Sequence, residues 1–150
     1  MKFLVTDECA RLARWLRLMG HDAALLPARP LSALYRAAYA ESRTIITRTQ
    51  WVRPSRLFRV VQLQPGTLAA QLRQLVREIP LRVDAASLLS RCDRCNALVE
   101  PIDKSLARAQ VPPYVFQTQS AFHRCPACGR IYWAATHEQR IRAFISQMTP

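Results

Sequence analysis

The sequence predicts an α/β fold: a small three-layer domain around a mainly parallel sheet, then a cysteine-rich unit and a terminal helix. In the first part of the chain, short apolar runs alternate with amphipathic helical patterns across short connections, which is typical of right-handed β-α-β crossovers. Further along, paired cysteines, prolines and aromatic residues replace this alternation. We therefore expect two units, residues 1–84 and residues 85–150.

The opening stretch combines a strand, two carboxylates and a helix. The apolar run of residues 3–5 is typical of a buried strand, and Asp7 and Glu8 follow it directly. A helix comes next, with apolar residues at helical spacing and a left-handed glycine at its end: Leu12, Trp15, Leu16, Met19 and Gly20. Because ligands bind at the carboxyl edge of an open α/β sheet, both carboxylates are candidate site residues. The alternative for Asp7 is a helix cap.

The rest of the first unit continues the alternation. We expect strands over residues 22–26, 44–47 and 59–63, and helices over residues 31–43 and 67–79. Pro54 interrupts the pattern and predicts a loop between the third and fourth strands. At the end of the chain, a terminal helix is predicted by an apolar face of Ile141, Phe144, Ile145 and Met148.

The charge of the chain indicates a polyanionic partner. There are 22 basic and 10 acidic residues, a net charge of +12, and 20 of the basic residues are arginines. Basic residues outnumber acidic ones by 14 to 6 in residues 1–84 and by 8 to 4 in residues 85–150, so the excess is not confined to a tail. No apolar run approaches the ~18 residues of a membrane span, and the N-terminus does not resemble a secretory signal. We expect a cytoplasmic protein that binds nucleic acid and not a membrane.

Several arginines and one tryptophan are candidate contacts to nucleic acid, because planar guanidinium groups bind phosphate oxygens bidentately. The helical pattern places Arg17 on the polar side of the first helix together with other arginines. The candidates are Arg11, Arg14, Arg29, Arg48 and Arg53. Trp51 either stacks on a base or packs in the core, and the arginines either contact phosphate or only solvate the surface.

Four cysteines predict a structural zinc site. They form two Cys-x-x-Cys pairs, Cys92 with Cys95 and Cys125 with Cys128. There are 29 residues between Cys95 and Cys125. Asn96 and Gly129 follow the pairs, and both tolerate the left-handed backbone that such a turn needs. Disulfides are disfavoured in a cytosolic chain, and a redox motif needs no duplicate. Since four thiolates leave no open position, the Zn²⁺ holds the fold and does not catalyse. Cys9 is expected to be an ordinary buried thiol.

Several stretches carry a family resemblance. The first unit contains Phe-Leu-Val-Thr-Asp7, Arg-Leu-Ala-Arg-Trp-Leu-Arg-Leu-Met-Gly-His-Asp22 and Glu41-Ser-Arg-Thr-Ile-Ile-Thr-Arg48. The second contains Ser-Arg-Cys-Asp-Arg-Cys-Asn96, Val111-Pro-Pro, Arg-Cys-Pro-Ala-Cys-Gly-Arg-Ile-Tyr-Trp133 and Thr136-His. Together they resemble the Mut-seven C-terminal RNase family, in which a PIN-like nuclease domain is fused to a zinc ribbon. The resemblance spans nearly the whole chain, and the combination is specific.

The resemblance implies RNA as the partner and ribonuclease chemistry at an acidic cluster that binds one or two Mg²⁺ or Mn²⁺ ions. Asp7 matches the first acidic position of the family, and Glu41 matches another. The family signature after the third strand is Thr-Arg-Asp, whereas this chain has Thr49 in place of the aspartate. The acidic run expected before the second helix is replaced by Arg-Pro-Leu-Ser at residues 29–32. The candidate catalytic residues are therefore Asp7, Glu8, Glu41 and Thr49.

These departures leave two functions open. The first is a metal-dependent ribonuclease, a hydrolase, with a depleted acidic site. The alternative is a catalytically inactive RNA- or ribosome-binding protein that retains the nuclease fold. The neighbouring arginines repel a metal cation and attract phosphate, which favours RNA binding over metal binding. A zinc module that binds other proteins is a third class, and the basic excess in both units disfavours it.

Overall fold

A four-stranded parallel sheet forms the centre of the first unit. The computed structural model describes residues 1–133 and 136–147 of the chain. The sheet has the strand order β2-β1-β3-β4, with β1 (Lys2–Thr6), β2 (Asp22–Leu26), β3 (Thr44–Thr47) and β4 (Val60–Gln62). The helices of this unit are α1 (Ala10–Leu18), α2 (Leu31–Ala40) and α3 (Leu68–Glu78). The expected α/β fold is confirmed, and every strand pair in this sheet is parallel.

Helices cover both faces of the sheet. Alternate residues of a strand point to opposite faces, so Phe3 and Val5 pack with α1 and α3 while Leu4 packs with α2. The connection between β3 and β4 adds to the α2 face, where Val52 is fully buried. One apolar cluster on each face therefore produces the three layers that the sequence predicts.

The second unit contains a three-stranded antiparallel sheet. Its elements are β5 (Glu100–Ile102), α4 (Lys104–Ala107), α5 (Pro113–Thr118), β6 (Phe122–Arg124) and β7 (Ile131–Trp133). Phe122 and Ile131 form its small core together with residues of the segment between β5 and β6. The last helix, α6 (Thr136–Ser146), returns to the first unit, where the ring of Phe144 lies 4.4 Å from that of Trp15 between centroids.

Some details differ from the predicted elements. The short apolar run at residues 97–99, directly after the first cysteine pair, forms one isolated bridge, between Arg91 and Leu98. The apolar pattern does not predict α4 or α5; α4 begins where Asp103 accepts a hydrogen bond from a backbone amide, and a proline starts α5.

Met148, which belongs to the predicted apolar face of the terminal helix, lies outside the described residues. In the part of the chain that the structure describes, no helix is long and apolar enough to cross a membrane.

Arg17 is buried, and its predicted position on the exposed polar side of α1 is wrong. Only 6% of the residue is exposed. Its guanidinium donates hydrogen bonds to the carbonyl oxygens of Ala23 (2.8 Å), Asp93 (2.9 Å) and Arg94 (2.9 Å). Helical periodicity missed this because the covering segment comes from the second unit, more than 70 residues further along the chain.

The first cysteine turn of the second unit covers the edge strand β2. Asn96 accepts a hydrogen bond from the Ala23 amide (3.0 Å) and donates one to the Asp22 carboxylate (2.7 Å). Because Arg17 binds the carbonyl of Ala23, both outward backbone groups of that residue are paired. Unpaired edge groups invite association with other chains, so this cover also protects the sheet.

The backbones of the two units lie in close contact at Gly20. The predicted left-handed cap is confirmed, with φ at 87°. A Cβ atom at this position would lie 2.3 Å from the carbonyl oxygen of Ser87, so no larger residue fits without a shift. Two residues earlier, the carbonyl of Leu18 accepts a hydrogen bond from the Leu89 amide (2.9 Å).

We predict that Arg17→Met lowers the free energy of unfolding by about 2 to 4 kcal/mol, because it removes the donor from the carbonyl oxygens in two buried hydrogen bonds and one partly buried hydrogen bond. Arg11→Met is the matched control, since Arg11 is an exposed arginine on the same helix. Denaturant unfolding of the zinc-loaded proteins measures both. Equal stability of the two variants would contradict the role assigned to Arg17.

Candidate functional site

The carboxyl edge of the parallel sheet brings together three of the four predicted catalytic residues. Asp7 and Glu8 lie in a 3₁₀ turn that follows β1. Thr49 lies two residues after the end of β3. Because β1 and β3 are parallel neighbours in register, with Val5 opposite Ile46, these residues meet at one edge.

Glu8 is held by four hydrogen bonds to a single oxygen. Its Oε1 accepts from the hydroxyls of Thr6 (2.6 Å), Thr47 (2.9 Å) and Thr49 (3.1 Å), and from the backbone amide of Arg48 (3.1 Å). We call this arrangement the threonine clamp. No described residue donates a hydrogen bond to the second oxygen, Oε2, so one side of the carboxylate remains open.

The threonine clamp keeps Glu8 ionised. Burial has the largest single effect and raises the pKa of this carboxyl. The hydrogen bonds from the Thr6 hydroxyl, the Arg48 amide and the Thr47 hydroxyl are among the contacts that outweigh burial, and together these contacts lower the pKa from 4.5 to about 2. A metal ligand must be deprotonated, so this carboxylate is prepared for a cation at any physiological pH.

Asp7 is exposed and does not cap α1. Its Oδ1 accepts a 3.2 Å hydrogen bond from the Glu8 amide, within the same turn. The residue that precedes α1 is Cys9, and it makes no side-chain capping bond. The alternative interpretation of Asp7 as a helix cap is therefore wrong, because the intervening 3₁₀ turn moves the start of the helix to Ala10. The Cys9 thiol is buried, as expected.

Glu41 lies at the opposite edge of the sheet, away from the other three. It precedes β3, and its carboxylate pairs with Arg43 (2.7 Å), which also pairs with Asp22 (2.7 Å) and donates to the Phe3 carbonyl (3.0 Å). Burial acts to lower the pKa of Arg43, but its two carboxylate partners outweigh burial and raise it. Since these contacts join strand beginnings, we leave Glu41 out of the candidate site.

The candidate RNA-binding residues fall into two groups. Four exposed residues follow the ends of β2 and β3, on the edge that carries Glu8: Arg29, Arg48, Trp51 and Arg53. The other two are on α1, where Arg11 is exposed and Arg14 forms an ion pair with Asp93 (2.7 Å) while remaining 61% exposed. Trp51 is 50% exposed, so the alternative that it packs in the core is wrong.

The four predicted zinc ligands form one cluster. Their Sγ atoms all lie within 4.8 Å of one another, and those of Cys92 and Cys128 are 3.8 Å apart. Tetrahedral Zn²⁺ with Zn–S bonds of about 2.3 Å requires sulfur separations of about 3.8 Å, so the donor set fits structural zinc. The left-handed turns are confirmed, with φ at 66° for Asn96 and 74° for Gly129.

A hydrogen-bonded group surrounds the buried ligand Cys92. The Tyr132 hydroxyl lies 3.0 Å from the Sγ of Cys92 and 2.8 Å from the Asp93 carboxylate. Asp93 is buried and also pairs with Arg14 on α1, so the cluster is tied to the first unit. Sequence reasoning missed Tyr132 and Asp93, and their adjacency to the cysteine motifs is the signal that could have found them.

One family model matches a stretch of the chain that includes both the sheet edge and the cysteine cluster. A family model described as the Mut7-C RNAse domain matches residues 1–145. No curated protein and no solved structure matches the chain. The family description indicates a nuclease-like, RNA-related function.

We predict one zinc per chain in the purified protein and none in Cys125→Ser, measured by elemental analysis. Loss of zinc should also abolish cooperative unfolding of the second unit, because metal binding and folding are coupled in such sites. Cys9→Ala removes the cysteine outside the cluster and should keep its zinc. Full zinc content in Cys125→Ser would contradict the four-thiolate assignment.

We predict that Glu8 adds a pH-dependent contribution to stability. Its pKa is depressed in the folded protein, so this contribution is complete above pH 4.5 and is lost as pH falls toward 2. In Glu8→Gln the contribution is absent. The difference in the free energy of unfolding between wild type and this variant should therefore become smaller as the pH falls below 5. Denaturant titrations measure this difference down to the lowest pH at which both proteins remain folded. A constant difference would refute the depressed pKa.

Proposed function

This chain belongs to the Mut7-C RNAse domain family, and from that premise we propose that it is a metal-dependent ribonuclease whose acidic site is reduced to Asp7 and Glu8. The observation that carries the proposal is the threonine clamp. It orients an ionised carboxylate at the carboxyl edge of the sheet and leaves one oxygen open beside an exposed aspartate. In open α/β sheets, this edge is where ligands bind.

The residues at this edge fit a hard divalent cation. Mg²⁺ is commonly held by one or two carboxylates together with waters and substrate phosphate. The candidate ligand atoms are Oε2 of Glu8 and Oδ2 of Asp7, which receive no hydrogen bond from described residues. When bound there, Mg²⁺ or Mn²⁺ would orient a water and neutralise charge that develops on the phosphate.

The protein's own residues have separate tasks in this proposal. The clamp fixes the rotamer of Glu8, and outer hydrogen bonds of this kind raise the affinity of a ligating carboxylate for its metal. Arg48 and Arg53 supply positive charge for RNA phosphates next to the carboxylates. Thr49 takes the place of the family aspartate and acts through its hydroxyl: it donates a hydrogen bond to Glu8 and adds no charge.

One observation favours the second candidate, an inactive RNA- or ribosome-binding protein. Two carboxylates face a surface with several exposed arginines, in a chain of net charge +12. Such a field attracts RNA whether or not a metal binds. Cleavage therefore has to be measured separately from binding.

The deciding experiment is RNA cleavage in Mn²⁺ by wild type and variants of the edge. We expect slow metal-dependent cleavage by wild type, and a loss of about 100-fold or more in Glu8→Gln and in Asp7→Asn, because loss of a ligand should exceed the 10- to 100-fold effect of losing an outer contact. Thr49→Asp should raise Mn²⁺ affinity and cleavage, since it adds a negative charge next to Glu8. Asp7→Asn should abolish that gain.

Glu100→Gln, which neutralises a carboxylate on the second sheet, is the control for the loss of a negative charge and should cleave like wild type. If wild type binds RNA but no variant or metal produces cleavage, the inactive binding protein is the correct function. If Thr49→Asp folds normally and changes neither metal binding nor cleavage, position 49 lies outside the site.

A further inference from the structure

A shallow cleft lies on the same sheet edge as the threonine clamp. It is lined by Arg29, Pro30, Leu31 and Trp51, from the segments that follow β2 and β3. The guanidinium carbon of Arg29 lies 4.9 Å from the centroid of the Trp51 ring. The cleft thus combines a flat aromatic surface, two apolar side chains and one cation, and none of the described residues that line it is acidic.

The backbone around Trp51 is fixed although the ring itself stays at the surface. The next residue, Val52, is fully buried in the cluster on the α2 face. The amide of Arg53 donates a 3.0 Å hydrogen bond to the Tyr35 hydroxyl, and the Tyr35 ring packs against Phe58 at 4.9 Å between centroids. Folding therefore positions this segment without burying the indole, which remains half exposed.

We propose that this cleft binds one unpaired nucleobase of RNA, so that the substrate class is single-stranded RNA. Every base has a π-face, so stacking on an indole is strong and tolerant of sequence. Arg29 holds the indole from one side and provides charge for the adjoining phosphate. Bases within a duplex are stacked on each other and cannot reach such a cleft.

The position of the cleft relates the base to the proposed cleavage site. β1 lies between β2 and β3 in the sheet, so the carboxylates after β1 are flanked by the segments that form the cleft. A strand with one base on Trp51 therefore runs along the edge that carries Asp7 and Glu8. This inference rests on the proposed function, because it needs RNA at this edge.

The test compares strands that have bases with strands that lack them. Binding of a fluorescent single-stranded oligoribonucleotide, its counterpart with abasic positions and an RNA duplex is measured without Mg²⁺ or Mn²⁺. Trp51→Ala should weaken binding of the base-containing single strand by about 5- to 100-fold. Its binding of the abasic strand and of the duplex should equal that of wild type. Its salt dependence should be unchanged because no charge is lost.

Tyr114→Ala is the matched control, since Tyr114 is an aromatic residue of the second unit that is 74% exposed. It should bind all three RNAs like wild type. If Trp51→Ala keeps its zinc and its stability but binds the single strand like wild type, the cleft proposal is overturned. An equal loss on the abasic strand would also overturn it, because no base is then involved. If wild type binds none of the RNAs, the proposed function itself fails.

Discussion

The hydrogen bonds from the buried guanidinium of Arg17 connect the parallel sheet to the cysteine cluster. One group joins a helix, an edge strand and the first cysteine turn through three carbonyl oxygens. The hydrogen bonds to Ala23 and Asp93 are buried and the one to Arg94 is partly buried, so the cation and the turn depend on each other. The position of this cysteine turn depends on the four-cysteine cluster, whose Sγ atoms lie close together. Zinc bound by these cysteines would therefore also support the cover over the edge strand of the first unit.

The carboxylates at the two edges of the parallel sheet have different kinds of hydrogen-bond partner. At the amino edge, the charge of Asp22 is matched by the Arg43 guanidinium, and Asn96 donates a further hydrogen bond. At the carboxyl edge, Glu8 receives hydroxyl and amide hydrogens, which satisfy one oxygen but cancel no charge. A neutralised carboxylate holds structure together, whereas an oriented carboxylate that keeps its charge can hold a cation.

Periodicity predicted the strand–helix alternation, and two Cys-x-x-Cys turns predicted the cysteine cluster, because helix faces, strand faces and such turns are local patterns of the backbone. The burial of Arg17 could not be predicted, since it depends on a covering segment distant in sequence. The prominence of Glu8 over Asp7 depends on which of two consecutive carboxylates a 3₁₀ turn directs toward Thr47. The position of Glu41 was available from the sequence alone: a residue before a strand lies at the edge opposite to one that follows a parallel neighbour.

The arginines around the carboxyl edge give the proposed metal and RNA sites a mutual dependence. With RNA absent, their positive field opposes the approach of a divalent cation to two carboxylates. In the proposed complex, RNA phosphates that pair with Arg48 and Arg53 would cancel part of this field and add oxygen ligands. A phosphate within about 8 Å of the carboxylates acts inside the screening length of physiological salt. Because such coupling is reciprocal, the cation must raise RNA affinity by the factor by which RNA raises cation affinity. We therefore expect the proposed site, with few carboxylates among many arginines, to bind free metal weakly and to be completed by RNA.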